Sequence, residues 1–533
     1  MTVRPHPNTP LPDASIYEVL FENNVNKNAV VLVDAENTDR FYTVASLQES
    51  VLKFGGFLQQ KYDWKAGDVL AICAGNDIDY VLCLHGSVTI GGLSATVDHH
   101  TSAEDIAESL RLVQAKLVVT DDEYKTVVAE AVQLAALPHS VITFKDIQTL
   151  LSGDALIPLA APARYEPDQL AAVPAYLYFT SGTTGTKKAV CISQRNAVAI
   201  AYFMDTFIPC GTRALTYTAI HHIGQLALTT HHGILRNIAH YIMDVKSEHT
   251  KALDVCEAIQ KHKIDTIVLV PWVANTIAKD VCNAYDLSSL REAQCGGSTV
   301  DASIIKRVYE RRGIKLGNAY ALTEVMGLLV PSWESAMKGS PGRAGPRTTL
   351  KLVDVSDKEV APGGTGELCV KSPTVFMGYY NDPEATKAVF DEDGFFHTGD
   401  LFCMNEDGEY VFNDRKKNLI KYFNHHLYPA DIESVLIRHP YVSECCVLGI
   451  YSPEEATEFV TAFVSLSKEH IPVNHDVKEA LRHIREYVDS RVLDARRLRG
   501  GVVVMESFPR TAFGKILRPK IQEMYKNGLI VQV

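Results

Sequence analysis

Short apolar runs alternating with longer amphipathic segments constrain this chain more than any other feature. Asp68-Val69-Leu70-Ala71-Ile72-Cys73, Leu93 to Val97 and Lys116-Leu117-Val118-Val119-Thr120 have the length and apolar content of buried strands. Between the last two, Ile106, Leu110 and Val113 recur at helical spacing. Thr101 with Glu104 three residues later predicts a capping box at the start of that helix. Strand, helix, strand in this order requires right-handed crossovers and a mostly parallel sheet. A second such unit follows from the helical pattern at Ala252 to His262 and the strand Thr266 to Val270. The expected fold class is α/β, with parallel sheets in a large N-terminal domain.

A chain of 533 residues exceeds what one hydrophobic core usually supports. Between residues 340 and 415 the texture changes to short strands punctuated by glycine and proline, such as Gly366 to Val370 and Gly408 to Phe412, which predicts a β-rich subdomain. The charged segment Asp414-Arg415-Lys416-Lys417 then introduces a region with its own strands (Cys446 to Ile450, Val460 to Ser465, Val502 to Met505) and helices near 429–438 and 476–490. The expectation is a domain over 1–414 and a small mobile α+β lobe over 415–533, joined at a charged hinge. No internal repeat or low-complexity tract interrupts this plan.

Within that frame, the run Ala175 to Phe179 reads as a strand that delivers Thr180-Ser181-Gly182-Thr183-Thr184-Gly185-Thr186-Lys187-Lys188. Hydroxyls, glycines and two closing lysines make a loop whose backbone N–H groups can approach an anion, which is the chemistry of a phosphate cradle. It is not a Walker A loop, because the glycines are three apart and no Gly-Lys-Ser/Thr follows.

Composition narrows the partners. A net charge of −12 argues against nucleic acid or an anionic membrane as the main surface contacted. Eleven cysteines include no C-x-x-C, so they read as buried thiols in a reducing compartment rather than a zinc site or disulfide framework. The most apolar run, Val81 to Ala95, carries His85 and glycines and is not expected to span a membrane. Met1 to Ser15 lacks a signal-peptide core, and Leu529 to Val533 is not a peroxisomal ending, so a cytoplasmic location is expected.

Three further segments present chemistry at strand ends or turns. Leu316 to Glu324 supplies Tyr320, Thr323 and Glu324; Phe396-His397-Thr398-Gly399-Asp400 places a carboxylate beyond a glycine turn; Pro509 to Lys515 sets a lysine on a glycine-bearing loop. Together with the 180–188 loop and the run Val375 to Tyr380 followed by Asp382-Pro383-Glu384-Ala385-Thr386, these resemble the adenylate-forming superfamily. That superfamily comprises acyl-CoA synthetases, peptide-synthetase adenylation domains and beetle luciferases, and the 4-coumarate–CoA ligases are nearest in pattern. The resemblance covers nearly the whole chain in order.

The resemblance implies an AMP-forming acid–thiol ligase. A carboxylate attacks the α-phosphate of ATP, giving acyl-adenylate and pyrophosphate, and the thiol of CoA then displaces AMP. By this likeness Thr180, Ser181, Gly182, Thr183, Thr184, Gly185 and Lys188 hold the departing phosphates, and Lys187 stands where proline is usual. Glu324 is implied as the Mg²⁺ ligand, Thr323 as an α-phosphate contact and Tyr320 as the adenine stacker, with Asp400 on the ribose assisted by Arg415. Lys515 is implied as the adenylation lysine, its charge bridging carboxylate and α-phosphate. His221 corresponds to the histidine between acid pocket and thiol tunnel, Lys417 to the hinge and Lys421 to the lysine that enters for thioester formation. The acid pocket is expected from Ile220, Gly224, Gln294, Gly296, Gly297, Ala319, Ala321 and Leu328. ATP, Mg²⁺, CoA and a carboxylic acid are the expected ligands of a monomer or homodimer.

The departures concern the second half-reaction. Asn424 replaces a glycine of the thiol tunnel, with a positive φ expected, and His426 replaces a glutamine. A ligase loading a carrier-protein phosphopantetheine, and a non-catalytic nucleotide-binding protein on the same fold, are the alternatives. Amino-acid activation is disfavoured, since Ala219-Ile220-His221-His222 lacks the aspartate such domains carry.

Overall fold

The computed structural model describes residues 9–137, 141–153, 157–180, 187–208, 211–244, 251–297, 300–423, 425–467, 477–510 and 516–530. The chain divides into two compact units. The first comprises Met1–Leu350 with Val370–His397, the second Lys351–Cys369 with Thr398–Val533. The second unit therefore takes in 351–369 and 398–414, as well as the lobe expected from 415 onward.

The first unit is built on a seven-stranded sheet in the order Gly378–Tyr379, Lys188–Ser193, Pro174–Thr180, Leu93–Thr96, Val69–Ile72, Leu117–Thr120, Val141–Thr143. From Pro174–Thr180 to Val141–Thr143 every pairing is parallel. The three strands read from the sequence are thus neighbours at its centre, and each is buried at every position. That matches their unbroken apolar character, since helices cover both faces of such a sheet. Helix Ala103–Val113 turns Ile106, Ala107, Leu110 and Val113 into this core. Its cap is Ser102, which accepts from the Asp105 N–H; the cap thus lies one residue beyond the expected Thr101, without the reciprocal bond of a capping box, and Thr101 donates its hydroxyl to Asp105.

The apolar run Val81–Ala95 is a fully buried helix, Ile78–Thr89, and then a central strand. Gly86 makes that burial possible, because a Cβ there would lie 2.4 Å from the ring of Phe54 on helix Val44–Tyr62. No helix among the described residues is long and apolar enough to cross a membrane. Among the described residues the unit also holds an antiparallel pair, Leu329–Val330 with Arg343–Ala344, and two smaller sheets. One orders Phe41–Thr43, Val30–Asp34, Ala239–Ile242 and Arg213–Thr216; the other is parallel, with Val268–Leu269, Glu292–Cys295 and Lys315–Asn318.

The second unit holds the bulk of an ordered four-strand sheet, Thr349–Val353, Gly366–Lys371, Phe396–Met404 and Tyr410–Arg415. It also holds a sheet of Val442–Ser452, Thr457–Leu466 and Val502–Val504. Helix Val477–Asp489 packs Ala480, Leu481, Ile484 and Val488 inward. Arg518 anchors the last helix: its guanidinium reaches Glu433 at 2.7 Å and the carbonyl of Val447.

The first unit buries several histidines as neutral rings. His85 joins Thr230 O through Nε2 and the Tyr176 hydroxyl through Nδ1, and His240 Nδ1 meets the Thr216 hydroxyl. Burial pulls His85 down to about 4, His240 to about 3, and His231 well below the usual range. Above pH 6.5 these rings are neutral in both native and unfolded chains. Below it only the unfolded chain takes up their protons, so stability falls from pH 6.5 toward 4. His85 and His240 each cost about 2 kcal/mol by pH 5. The urea midpoint of the first unit is expected to drop steeply between pH 6.5 and 5; a flat midpoint over that window contradicts the assignment.

Candidate active site

The hairpin Pro174–Thr180/Lys188–Ser193 sets the feet of the hydroxyl-rich loop. Thr180 and Lys188 are cross-strand partners at its loop end, and the strand alternation sends the two lysines opposite ways. Lys187 Nζ donates to Asp105 O at 2.8 Å and to the Ser109 hydroxyl at 2.9 Å, so it is spent on helix Ala103–Val113. Lys188 Nζ lies 4.7 Å from the ring centre of Tyr379, a cation–π distance. Ser181, Gly182, Thr183, Thr184 and Gly185 lie outside the described residues.

Tyr379 links that lysine to the expected metal carboxylate. Strand Gly378–Tyr379 adds to the sheet through Gly378–Cys191 and Tyr379–Val190, and the Tyr379 N–H is held by the Thr386 hydroxyl. The phenol donates to Glu324 Oε1 at 3.0 Å. Burial, then the charge and hydrogen bond of Glu324, push its pKa above the tyrosine range, so the phenol keeps its proton and remains the donor. The Glu324 backbone is fixed by the Phe376 N–H at 2.8 Å and by the bridge between Val325 and Val375. The run 375–380 entered the sequence reading only as part of the family resemblance, with no role for Tyr379. Nothing local in the sequence marks it, because its role comes from a strand pairing with residues 188–193.

The expected acid-pocket residues come together in part. In the Glu292–Cys295/Lys315–Asn318 pair, Gln294 stands opposite Gly317, whose missing side chain leaves room for the glutamine amide; a Cβ on Gly317 would lie 2.0 Å from Oε1. Gly296 abuts Ala319, where an added Cβ would come within 2.9 Å of the alanine methyl. Gly224 faces the methyl of Met326. Ile220 is buried, with its N–H on Asn76 Oδ1; Leu328 is fully buried, while Gly297, at φ +88°, and Ala321 are exposed. Tyr320 and Thr323 are half-buried on the segment that leaves Lys315–Asn318 toward Glu324.

His221 is buried between Asp98 and two more imidazoles. Its Nε2 lies 3.7 Å from Asp98 Oδ1, and its ring centre lies 5.5 Å from that of His99 and 4.4 Å from that of His222. The Thr96 hydroxyl holds its backbone carbonyl at 3.0 Å. Burial, only partly offset by Asp98, lowers His221 to about 4; burial with His221 and His100 as neighbours lowers His99 to about 2. Asp98 and His99 were also missed, although an Asp-His-His run at the exit of a parallel strand was a readable signal.

In the second unit Asp400 and Arg415 are cross-strand partners, with Arg415 Nε 3.3 Å from Asp400 Oδ1. Asp400 is buried, and its N–H bonds to the Thr398 hydroxyl. Lys417 and Lys421 are exposed. The Lys421 backbone is pinned by Glu458 at 2.7 Å and by the Thr457 hydroxyl. Neighbouring Lys416 pairs with Glu367 at 2.7 Å. Lys515 and Asn424 lie outside the described residues, and Phe423, just before Asn424, takes φ +47°. A cavity of about 230 Å³ in the first unit, lined by Asp34, Glu36, Asp77, Asp121, Glu123 and Asp244, contains none of the expected residues, and its carboxylates suit no phosphate.

Known proteins resemble this chain along most of its length. The AMP-binding enzyme family model matches residues 21–380, and the AMP-binding enzyme C-terminal domain matches 431–515. A probable 4-coumarate–CoA ligase 1 of Dictyostelium discoideum is 28% identical over 97% of this chain and 96% of its own length. A luciferin 4-monooxygenase of Photuris pensylvanica is 28% identical over 90% of each, and the phenylacetyl-CoA ligase epaB of Aspergillus niger 28% over 92% and 93%. Among solved structures, ATP-bound MatB from Rhodopseudomonas palustris superposes with a TM-score of 0.83 at 21% identity, covering 96% of this chain and 99% of that one, a likeness of fold. With the first family model spanning most of the chain, and the second its C-terminal part, the protein belongs to the AMP-binding enzyme family, that of the AMP-forming acyl-CoA ligases.

Proposed function

We propose that the protein is an AMP-forming acid–CoA ligase that adenylates an aryl or medium-chain carboxylic acid and transfers the acyl group to CoA. The observation that carries the reading is the line Lys188–Tyr379–Glu324. It sets a cation and an oriented carboxylate side by side at the foot of the hydroxyl-rich loop.

In this reading Lys188 and the loop take the β- and γ-phosphates. Glu324, a hard oxygen donor already oriented by Tyr379, is the residue that suits Mg²⁺, whose charge neutralises phosphate oxygens when bound. Asp400 accepts from the ribose hydroxyls, with Arg415 paired to it across the hairpin. Lys515 bridges the acid carboxylate and the α-phosphate as charge builds in the transition state. His221, neutral because buried, lies against the acid without competing for its proton. Lys421 serves the thioester step after the small lobe turns about Lys417. Support for CoA comes from the relatives named as CoA ligases. The test is pyrophosphate release over a panel of carboxylic acids with and without CoA. Acid-dependent release with CoA-dependent thioester formation is expected, and release that ends in acyl-adenylate alone overturns the CoA assignment.

Two lysines should separate the half-reactions. Lys515→Ala is expected to lower acid-dependent pyrophosphate release about 10²–10³-fold while sparing thioester formation from supplied acyl-adenylate. Lys421→Ala should do the reverse, and equal loss of both halves in both variants removes the lobe rotation. Tyr379→Phe deletes the hydrogen bond to Glu324. The Mg²⁺ concentration for half-maximal pyrophosphate release should rise about tenfold, the worth of a hydrogen bond to a charged group; an unchanged Mg²⁺ dependence takes Tyr379 out of the site. Ala319→Gly removes the methyl packed against Gly296 and should shift kcat/KM toward larger acids by roughly tenfold. Efficient use of palmitate by the unaltered enzyme contradicts this pocket.

A further inference from the structure

Asp98, His99 and His221 form a cluster that the adenylation chemistry does not use as a unit. One ligand atom from each lies within 4.8 Å of the other two. His99 is 4% exposed, and among the described residues neither of its ring nitrogens has a hydrogen-bond partner. His221 is 8% exposed, and its Nδ1 is likewise without one. Buried imidazoles normally satisfy at least one nitrogen, so a buried ring with neither satisfied points to a missing partner.

The surroundings are built rather than fortuitous. Asp98 leaves the end of a central strand, and its Oδ1 is oriented by the His100 N–H at 2.9 Å. Thr96, on the same strand, fixes the His221 backbone. Tyr124 stands edge-on to His99 at 4.5 Å and walls one side. We infer that these three residues bind a divalent transition cation of the Zn²⁺ type through two imidazole nitrogens and one carboxylate oxygen, with a further position open. Neutral imidazole suits zinc, cobalt and nickel, whereas Mg²⁺ prefers an all-oxygen shell. Bonds of about 2.0–2.2 Å place tetrahedral ligand atoms roughly 3.4 Å apart. The 3.7 Å between His221 Nε2 and Asp98 Oδ1 is close to that already, and side-chain rotation of His99 closes the rest. Because His221 is a ligand, filling the site ties up the histidine assigned to the acid pocket, a consequence that rests on the proposed function.

The binding itself is tested without activity. The full chain is stripped with a chelator and titrated with Co²⁺, followed by visible absorption, then with Zn²⁺ in competition with a chromophoric chelator. One equivalent of Co²⁺ should give ligand-field bands of a four- or five-coordinate site, with no thiolate charge-transfer band. Zn²⁺ should displace it and millimolar Mg²⁺ should not. His99→Gln and Asp98→Asn are each expected to weaken binding by at least about tenfold. Asp98 is half exposed, so its variant keeps the test informative if His99→Gln fails to fold, which circular dichroism reports. Failure to saturate at micromolar metal, displacement by Mg²⁺, or an unchanged isotherm in the folded variants overturns the site. A confirmed site with no effect of Zn²⁺ on pyrophosphate release leaves the site standing and removes only His221 from the acid pocket.

Discussion

The first unit depends on parallel hydrogen bonding among Val69–Ile72, Leu93–Thr96, Leu117–Thr120 and Pro174–Thr180. Parallel strands end at one edge, so the residues that follow them are neighbours whatever their separation in sequence. Gly75, Asp98, Asp121 and Thr180 share that edge for this reason. The N–H of Gly75 already bonds Asp121 across it at 2.7 Å. Because the strands are buried at every position, the edge is positioned by a core that tolerates little movement.

Elements that depend on local pattern were legible. The three central strands, helix Ala103–Val113 and the amphipathic helix Val477–Asp489 each lie within a few residues of their expected places, because periodicity and burial are the same fact seen twice. The missed cap shows where locality stops: Thr101 and Ser102 are equivalent in chemistry, and the turn decides which accepts from the backbone. Tyr379 was illegible for a stronger reason. A two-residue strand gains its partner from Lys188–Ser193, and no window of sequence contains both. The Asp400–Arg415 pairing lies between, since a hairpin of short strands with a glycine turn at Gly408 makes the two residues opposite once register is fixed.

The charged segment at 414–417 was read as a hinge, and its residues are individually engaged inside the second unit. Asp414 is buried, receives the N–H groups of Arg415 and Ala430 and the amide of Asn418, and so caps helix Pro429–Leu436 from the neighbouring strand. Lys416 is held by Glu367. Of the segment, Lys417 alone combines exposure with the absence of an ion pair among the described residues.

The antiparallel hairpin that carries the hydroxyl-rich loop distinguishes it from the nucleotide loops that end in a helix. A strand, Lys188–Ser193, follows this loop, and the first helix comes only after it, at Gln194. Among the described residues no helix begins directly at the end of that sequence, so an anion held there would draw on side-chain charge and N–H groups rather than on a helix dipole. Such a field is short-ranged and divisible, since each donor can be lost or gained without disturbing a helix that the core needs. Substitutions among those donors would therefore tune its strength one group at a time, while the paired feet, Thr180 and Lys188, stay part of the sheet.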